Sequence, residues 1–191
     1  MEAPTSYCQM VQDQVPTSVH RIYHDTAYGF PLHDDNELFG RLILEINQAG
    51  LSWTTILNKE ANFRQAYTQF DIATVAHFDE QDRGRLLSDA GIIRNKRKVD
   101  AAIQNAQRIL ALQSSHGSFK AWLDHHFPLT RAEWVKLFKQ TFTFTGGEIT
   151  NEFLLSTGYL PGAHEQDCPI YAHILKQNPP WSKHEPYRQS L

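Results

Sequence analysis

Apolar residues recur along this chain at helical spacing. Leu38, Leu42, Ile46 and Ala49 fall three or four apart. Asp34 precedes them with Glu37 three positions on, the pattern of a capping box, and Gly50 follows as a stop. Ser52 can cap the next helix, carrying Trp53, Ile56 and Leu57. Asp71 and Asp79 are further N-cap candidates; the second leads to Leu86, Leu87 and Ala90 before Gly91. Asn95 can open a long helix with Val99, Ile103, Ala106, Ile109 and Leu110 on one face. Thr130 with Glu133 predicts another, bearing Trp134, Leu137 and Phe138, and Thr145 with Glu148 a third capping box, ended by Gly158. Asp167 can cap a last helix containing Ile170, Tyr171, Ile174 and Leu175.

Strand signals are nearly absent. Residues 141–145 alternate like a strand, but nothing else offers a partner, and a lone strand leaves its backbone groups unpaired. They read as an extended linker or helix end. The expected fold class is all-α, with about eight or nine helices. No internal repeat, low-complexity tract or Gly/Ser linker divides the chain, so one helical domain over 1–191 is expected. Residues 1–19 are polar and irregular and read as a tail unless something pins them down, and those from Asn178 onward are also irregular.

Composition narrows the function classes. At 41% hydrophobic and 20% charged residues, the 191-residue chain is not of disordered type. Its longest aliphatic run, Ile109–Leu112, is far short of the ~20 residues a membrane span needs. Residues 1–6 have neither a positive nor an apolar region, so no signal peptide is expected. Two cysteines exclude a disulfide framework, and a cytoplasmic protein is the default. The formal charge of −3 argues against coating nucleic acid at random, yet leaves room for a local basic patch.

Three groups of residues can carry chemistry. Glu45 lies on the buried stripe of its helix, where a carboxylate is costly unless paired or hydrogen-bonded. It either snorkels or pairs with an Arg, or it lines a pocket for a polar or cationic ligand. Trp53 follows at the start of the next helix, as ordinary core or as a face on which a flat ring stacks. Residues 86–103 read as helix, turn and helix, with Gly91, Arg94, Lys96, Arg97 and Lys98 around a helix N-terminus that attracts phosphate. A solvated basic turn is the alternative. His164-x3-Cys168, with Cys8 and His24, can form a tetrahedral zinc site joining the two ends of the chain; buried free cysteines are the alternative.

Tyr23-His24-Asp25, Leu38-Phe39, Glu45 with Gln48-Ala49-Gly50-Leu51-Ser52-Trp53, Asp89-Ala90-Gly91-Ile92-Ile93-Arg94 and His164-x3-Cys168 together resemble the DNA-3-methyladenine glycosylase I family, over about residues 8–170. The resemblance implies an all-helical helix-hairpin-helix fold and a monofunctional hydrolase that excises 3-methyladenine from alkylated double-stranded DNA, leaving an abasic site. It implies that Glu45 hydrogen-bonds the flipped base and is a candidate for activating water. Tyr23, Tyr28 and Trp53 would bind the base by stacking, and Leu51 would fill the gap left in the duplex. Gly91, Arg94, Lys96, Arg97 and Lys98 would hold the phosphate backbone. Cys8, His24, His164 and Cys168 would hold a structural zinc that ties segments 1–33 and 146–191 into one lobe. A monomer is expected. The chain departs from the family pattern at Tyr28, where Trp is frequent, and at Met10, Gly147-Glu148 and Glu152; its spacer from Cys8 to His24 is also longer. A catalytically silent DNA-binding protein of the same fold is the alternative. A metal phosphohydrolase using His24 and Asp25 is a third reading.

Overall fold

The computed structural model describes residues 6–184, and the elements among them are all helical. None of these helices is long and apolar enough to cross a membrane. The chain forms two compact units: one from both chain ends, up to Leu32 and from Glu152, and a central one, His33–Asn151.

The central unit contains α3 (Asp35–Gln48), α4 (Trp53–Leu57), α5 (Glu60–Ala66), α6 (Ile72–Ala76), α7 (Glu80–Ser88), α8 (Lys96–His116), α9 (Phe119–His126) and α10 (Arg131–Thr141). It also holds the first half of a helix that runs from Gly147 to Ser156. Every residue of α3 from Leu38 to Asn47 is buried, so α3 is the core helix of this unit. At Gly40 it meets the Phe70 ring so closely that a Cβ would collide with it. The long α8 packs against α3, α6, α7 and α9. It buries Val99, Ile103, Ala106 and Ile109 of the stripe that the periodicity outlines, with Ala102 beside them, while Leu110 is half-buried.

Local caps explain most helix starts. Ser52, Asp71, Asp79, Asn95 and Thr130 each accept a backbone N–H with the side chain, as expected. Asp34 does so too, but Glu37 does not close the box. Its carboxylate accepts hydrogen bonds from Arg64 Nη1 and Nη2, at 2.8 and 2.6 Å, and that charge-assisted fork wins. The capping box expected at Thr145 is also overturned: its buried hydroxyl donates to Phe138 O and Phe142 O at the end of α10. Asp35 has an unforeseen role. Its carboxylate accepts Phe119 N and Lys120 N at 2.7 and 2.9 Å, and Gln113 Nε2 at 2.7 Å, anchoring the start of α9.

The terminal unit comprises α1 (Tyr7–Gln12), α2 (Val19–Thr26), the rest of α11 (Gly147–Ser156), α12 (Pro169–Lys176) and a 3₁₀ turn, Pro180–Lys183. The tail reading is corrected here. Ser6 and Ser18 cap α1 and α2, and Trp181 is buried. Residues 1–5 and 185–191 of the expected tails lie outside the described residues. Cys168, one residue after Asp167, is the N-cap of α12, with Pro169 at the first helical position. Twelve α-helices are present among the described residues, more than the expected number. α1 and α5, of six and seven residues, are too short to show a period.

Candidate functional site

The terminal unit gathers Cys8, His24, His164 and Cys168 so that their four ligand atoms lie within 4.8 Å of one another. α1 carries Cys8, α2 carries His24, and the approach to α12 supplies His164 and Cys168. Cys8 Sγ is 3.3 Å from His24 Nε2 and 3.7 Å from His164 Nδ1. Cys168 Sγ is 3.7 and 3.5 Å from the same two nitrogens. A tetrahedral ion with bonds of about 2.3 Å to sulfur and 2.0–2.1 Å to nitrogen sets its ligands about 3.5 Å apart. The residues therefore fit such an ion.

The far side of each imidazole is also set for ligation. His24 donates Nδ1–H to Asp25 Oδ1 at 2.7 Å, and His164 donates Nε2–H to Tyr28 O at 2.8 Å. Each bond selects the tautomer whose other nitrogen faces the sulfurs. Burial pushes the His164 imidazole down to about 4, so it is held neutral, the form that ligates. Burial pushes the Cys8 thiol up to about 11, against a hydrogen bond from Glu165 N. Burial also opposes charge on Asp25, but hydrogen bonds from His24 and Arg21 outweigh it and hold its carboxyl below the ordinary value. Both Asp25 oxygens are thereby engaged, by His24 and by Arg21 Nε at 2.7 Å. Asp25 thus orients His24, and it is not among the four residues whose ligand atoms gather, which leaves a phosphohydrolase without support.

An aromatic group adjoins this cluster within the same unit. The Tyr23 and Tyr28 rings lie 5.7 Å apart, and the Tyr28 ring lies 5.7 Å from that of His164. Tyr7 stands edge-on to Tyr23, His24 and Tyr28 at 6.3, 5.7 and 5.4 Å. Sequence reasoning missed Tyr7 because α1 gave no signal. Tyr28 also donates to the Glu152 carboxylate at 3.5 Å.

In the central unit Glu45 is buried, 4% exposed, on α3. The helix stops at Gly50, whose φ of +80° suits glycine, and α4 begins at Trp53 and packs on α3. Leu51 stands on the intervening turn, 38% exposed. Its N–H donates to Gln48 O at 2.7 Å, and Gln48 Nε2 returns a bond to Leu51 O at 3.2 Å.

The basic turn divides into two kinds of cation. Arg94, Lys96 and Arg97 are exposed at the start of α8, though Lys96 reaches Asp100 at 2.9 Å. Lys98 is not among them, and the expectation that it grips phosphate is corrected. It is 5% exposed, and its ammonium donates to Asn47 O and Ala49 O at 2.8 and 2.7 Å, where α3 ends. Lys98 falls on the buried face of α8, four residues before Ala102, and carbonyls left over at a helix end attract a cation. Lys59, which the sequence did not single out, donates to Ala90 O and Gly91 O, both at 3.0 Å. Gly91 N in turn donates to Asp89 Oδ1 at 2.7 Å, which fixes the turn.

Comparison with known proteins bears on the family of the chain. The methyladenine glycosylase family model matches residues 14–136. The chain is 34% identical over 168 residues to DNA-3-methyladenine glycosylase 1 of Escherichia coli K12, covering 78% of this chain and 89% of that one. It is 32% identical over 184 residues to DNA-3-methyladenine glycosylase of Haemophilus influenzae, covering 86% and 97%. Among solved structures, a Tyr-to-Phe variant of 3-methyladenine DNA glycosylase I in complex with 3-methyladenine matches with a TM-score of 0.77 at 31% identity, covering 84% and 95%. A structure of the Staphylococcus aureus enzyme, described as the basis of 3-methyladenine recognition, matches with a TM-score of 0.75 at 31% identity, covering 82% and 93%.

Proposed function

The chain belongs to the methyladenine glycosylase family, and from that premise we propose that it is a monofunctional DNA glycosylase that hydrolyses 3-methyladenine out of alkylated double-stranded DNA. The observation that carries the reading is the buried Glu45 carboxylate on the helix leading into the Leu51 turn and Trp53.

The chemistry suits such a carboxylate. A 3-methylated adenine in DNA is cationic and already a good leaving group. Its glycosidic bond breaks with the electron pair passing to the base, which departs neutral. The sugar carries the positive charge until water adds and loses a proton, leaving an abasic site. The enzyme therefore needs electrostatic selection more than a strong acid. A buried carboxylate favours the cationic base over neutral adenine and accepts a hydrogen bond from its edge. In this reading Glu45 is also the candidate for activating water. Tyr23, Tyr28 and Trp53 supply stacking faces, and Leu51 enters the space the base vacates. Gly91, Arg94, Lys96 and Arg97 hold the phosphate backbone.

Zinc is the ion proposed for Cys8, His24, His164 and Cys168. It would tie the two chain ends together without touching substrate. A monomer in the cytoplasm completes the reading. The deciding assay measures free 3-methyladenine released from methylated duplex DNA. Duplex binding with no base released would favour the catalytically silent alternative.

A further inference from the structure

The turn bearing Leu51 is fastened to the basic hairpin at both of its ends, by two ammonium groups. Upstream, Lys98 reaches from the first turn of α8 to Asn47 O and Ala49 O, at the end of α3. Downstream, Lys59, two residues beyond α4, reaches to Ala90 O and Gly91 O. Asn62 Nδ2 adds a second bond to Gly91 O at 3.3 Å. Leu51, Ser52 and α4 are thus spanned by two clamps on one hairpin. The clamps differ from the neighbouring cations in what they face. Arg94 and Arg97 are exposed, and the exposed Lys96 pairs with Asp100, whereas Lys98 is buried. Burying an ammonium is costly without acceptors, and here helix-end carbonyls satisfy it.

Building on the reading above, we propose that Lys59 and Lys98 are positioning residues that hold the Leu51 turn in fixed register with the phosphate-gripping hairpin. Phosphate binding at the start of α8 then delivers Leu51 to the duplex in the same event. Neither lysine contacts the base. Each acts through Leu51, because both ends of the segment carrying Leu51 are bonded to the hairpin. Misplacing a group by about 1 Å can cost on the order of a hundredfold in rate.

The test is a double-mutant cycle with Leu51→Ala, read by single-turnover release of 3-methyladenine from duplex DNA at saturating enzyme. Binding to undamaged duplex is followed in parallel by fluorescence anisotropy. Lys98→Met keeps the aliphatic stem and removes the ammonium. It is expected to slow release by about tenfold or more with duplex affinity kept within about twofold. In the Leu51→Ala background the same change should cost less than about twofold, and Lys98→Arg should restore most of the wild-type rate. Lys59→Met, at a part-exposed position, should behave likewise. It decides the matter if Lys98→Met fails to fold. An equal slowing with and without Leu51, or a loss of affinity in place of rate, overturns the proposal. No release by the wild-type protein would instead defeat the glycosylase reading itself.

Discussion

His24 donates Nδ1–H to the Asp25 carboxylate at 2.7 Å, and this turns its Nε2 to within 3.3 Å of the Cys8 sulfur. Arg21 holds the same carboxylate from the other side at 2.7 Å. Three residues of α2 therefore fix the tautomer of one imidazole, and its Nε2 could ligate a metal ion. Asp25→Ala removes the partner that fixes this tautomer. Zinc affinity should fall by roughly 10–100-fold, read by competition with a chromogenic chelator. Stripping the metal from the wild type should lower its melting temperature. Affinity unchanged in the variant would show that Asp25 does not orient the ligand.

Asp35 belongs to the first turn of α3, yet it completes the start of α9 by accepting Phe119 N, Lys120 N and the Gln113 amide. Asp35→Ala leaves these donors without their acceptor. A stability loss of about 2–3 kcal/mol is expected, from the lost cap and the orphaned donors together. Urea unfolding measures it, and a loss below about 0.5 kcal/mol would mean that water replaces the carboxylate.

How far the sequence reaches is visible in particular residues. The stripe on α8 and the caps at Ser52, Asp71, Asp79, Asn95 and Thr130 follow from local chemistry, so they are legible. Thr145 and Glu37 follow the same local rule and break it, because each finds a stronger partner elsewhere in the fold. Lys98 had a usable signal: it sits on the apolar face of α8 with Ala102 and Ile109, not on the face of Lys96 and Arg97. Cys8 and Tyr7 had none of their own. They ride on a helix of six residues, and Cys8 meets His164 across 156 positions.

Glu37 gives a pH dependence of known sign. The hydrogen bond from Arg64, with its charge, holds the Glu37 carboxyl below its ordinary value despite partial burial. A depressed folded value contributes stability that is present above the unfolded value, about 4.3, and lost as pH falls through the folded one. With side chains 32% and 44% exposed, Arg64 and Glu37 should contribute less than about 1 kcal/mol. Glu37→Gln should therefore be slightly less stable than wild type at neutral pH. The two should converge in acid, as thermal melts across pH would record. A gap that persists at the lowest pH would assign the effect to packing.

Glu45→Gln keeps the side chain's shape and removes its charge. Release of 3-methyladenine should fall by about a hundredfold or more, the scale of losing one preorganised electrostatic contact. Affinity for undamaged duplex should stay within about twofold, because the carboxylate acts on the base and not on the phosphates. Chromatography of released base, with a thermal melt to confirm folding, separates these effects. Equal release by variant and wild type would remove Glu45 from the reaction.

The exposed cations of the hairpin should differ in how they respond to salt. Each phosphate neutralised adds about 0.9 to the slope of log affinity against log salt. Arg94 and Arg97 are exposed at the start of α8 and should each contribute one such increment. Lys96 must first leave Asp100, 2.9 Å away, so Lys96→Ala should change the slope less than Arg94→Ala. Lys98→Met should leave it unchanged, since the ammonium is bound to the carbonyls at the end of α3. Anisotropy titrations on undamaged duplex between about 50 and 200 mM salt resolve these differences. A flattened slope in Lys98→Met would place its charge on the phosphate after all. An unaltered slope in Arg94→Ala and Arg97→Ala would move the DNA contact away from this hairpin.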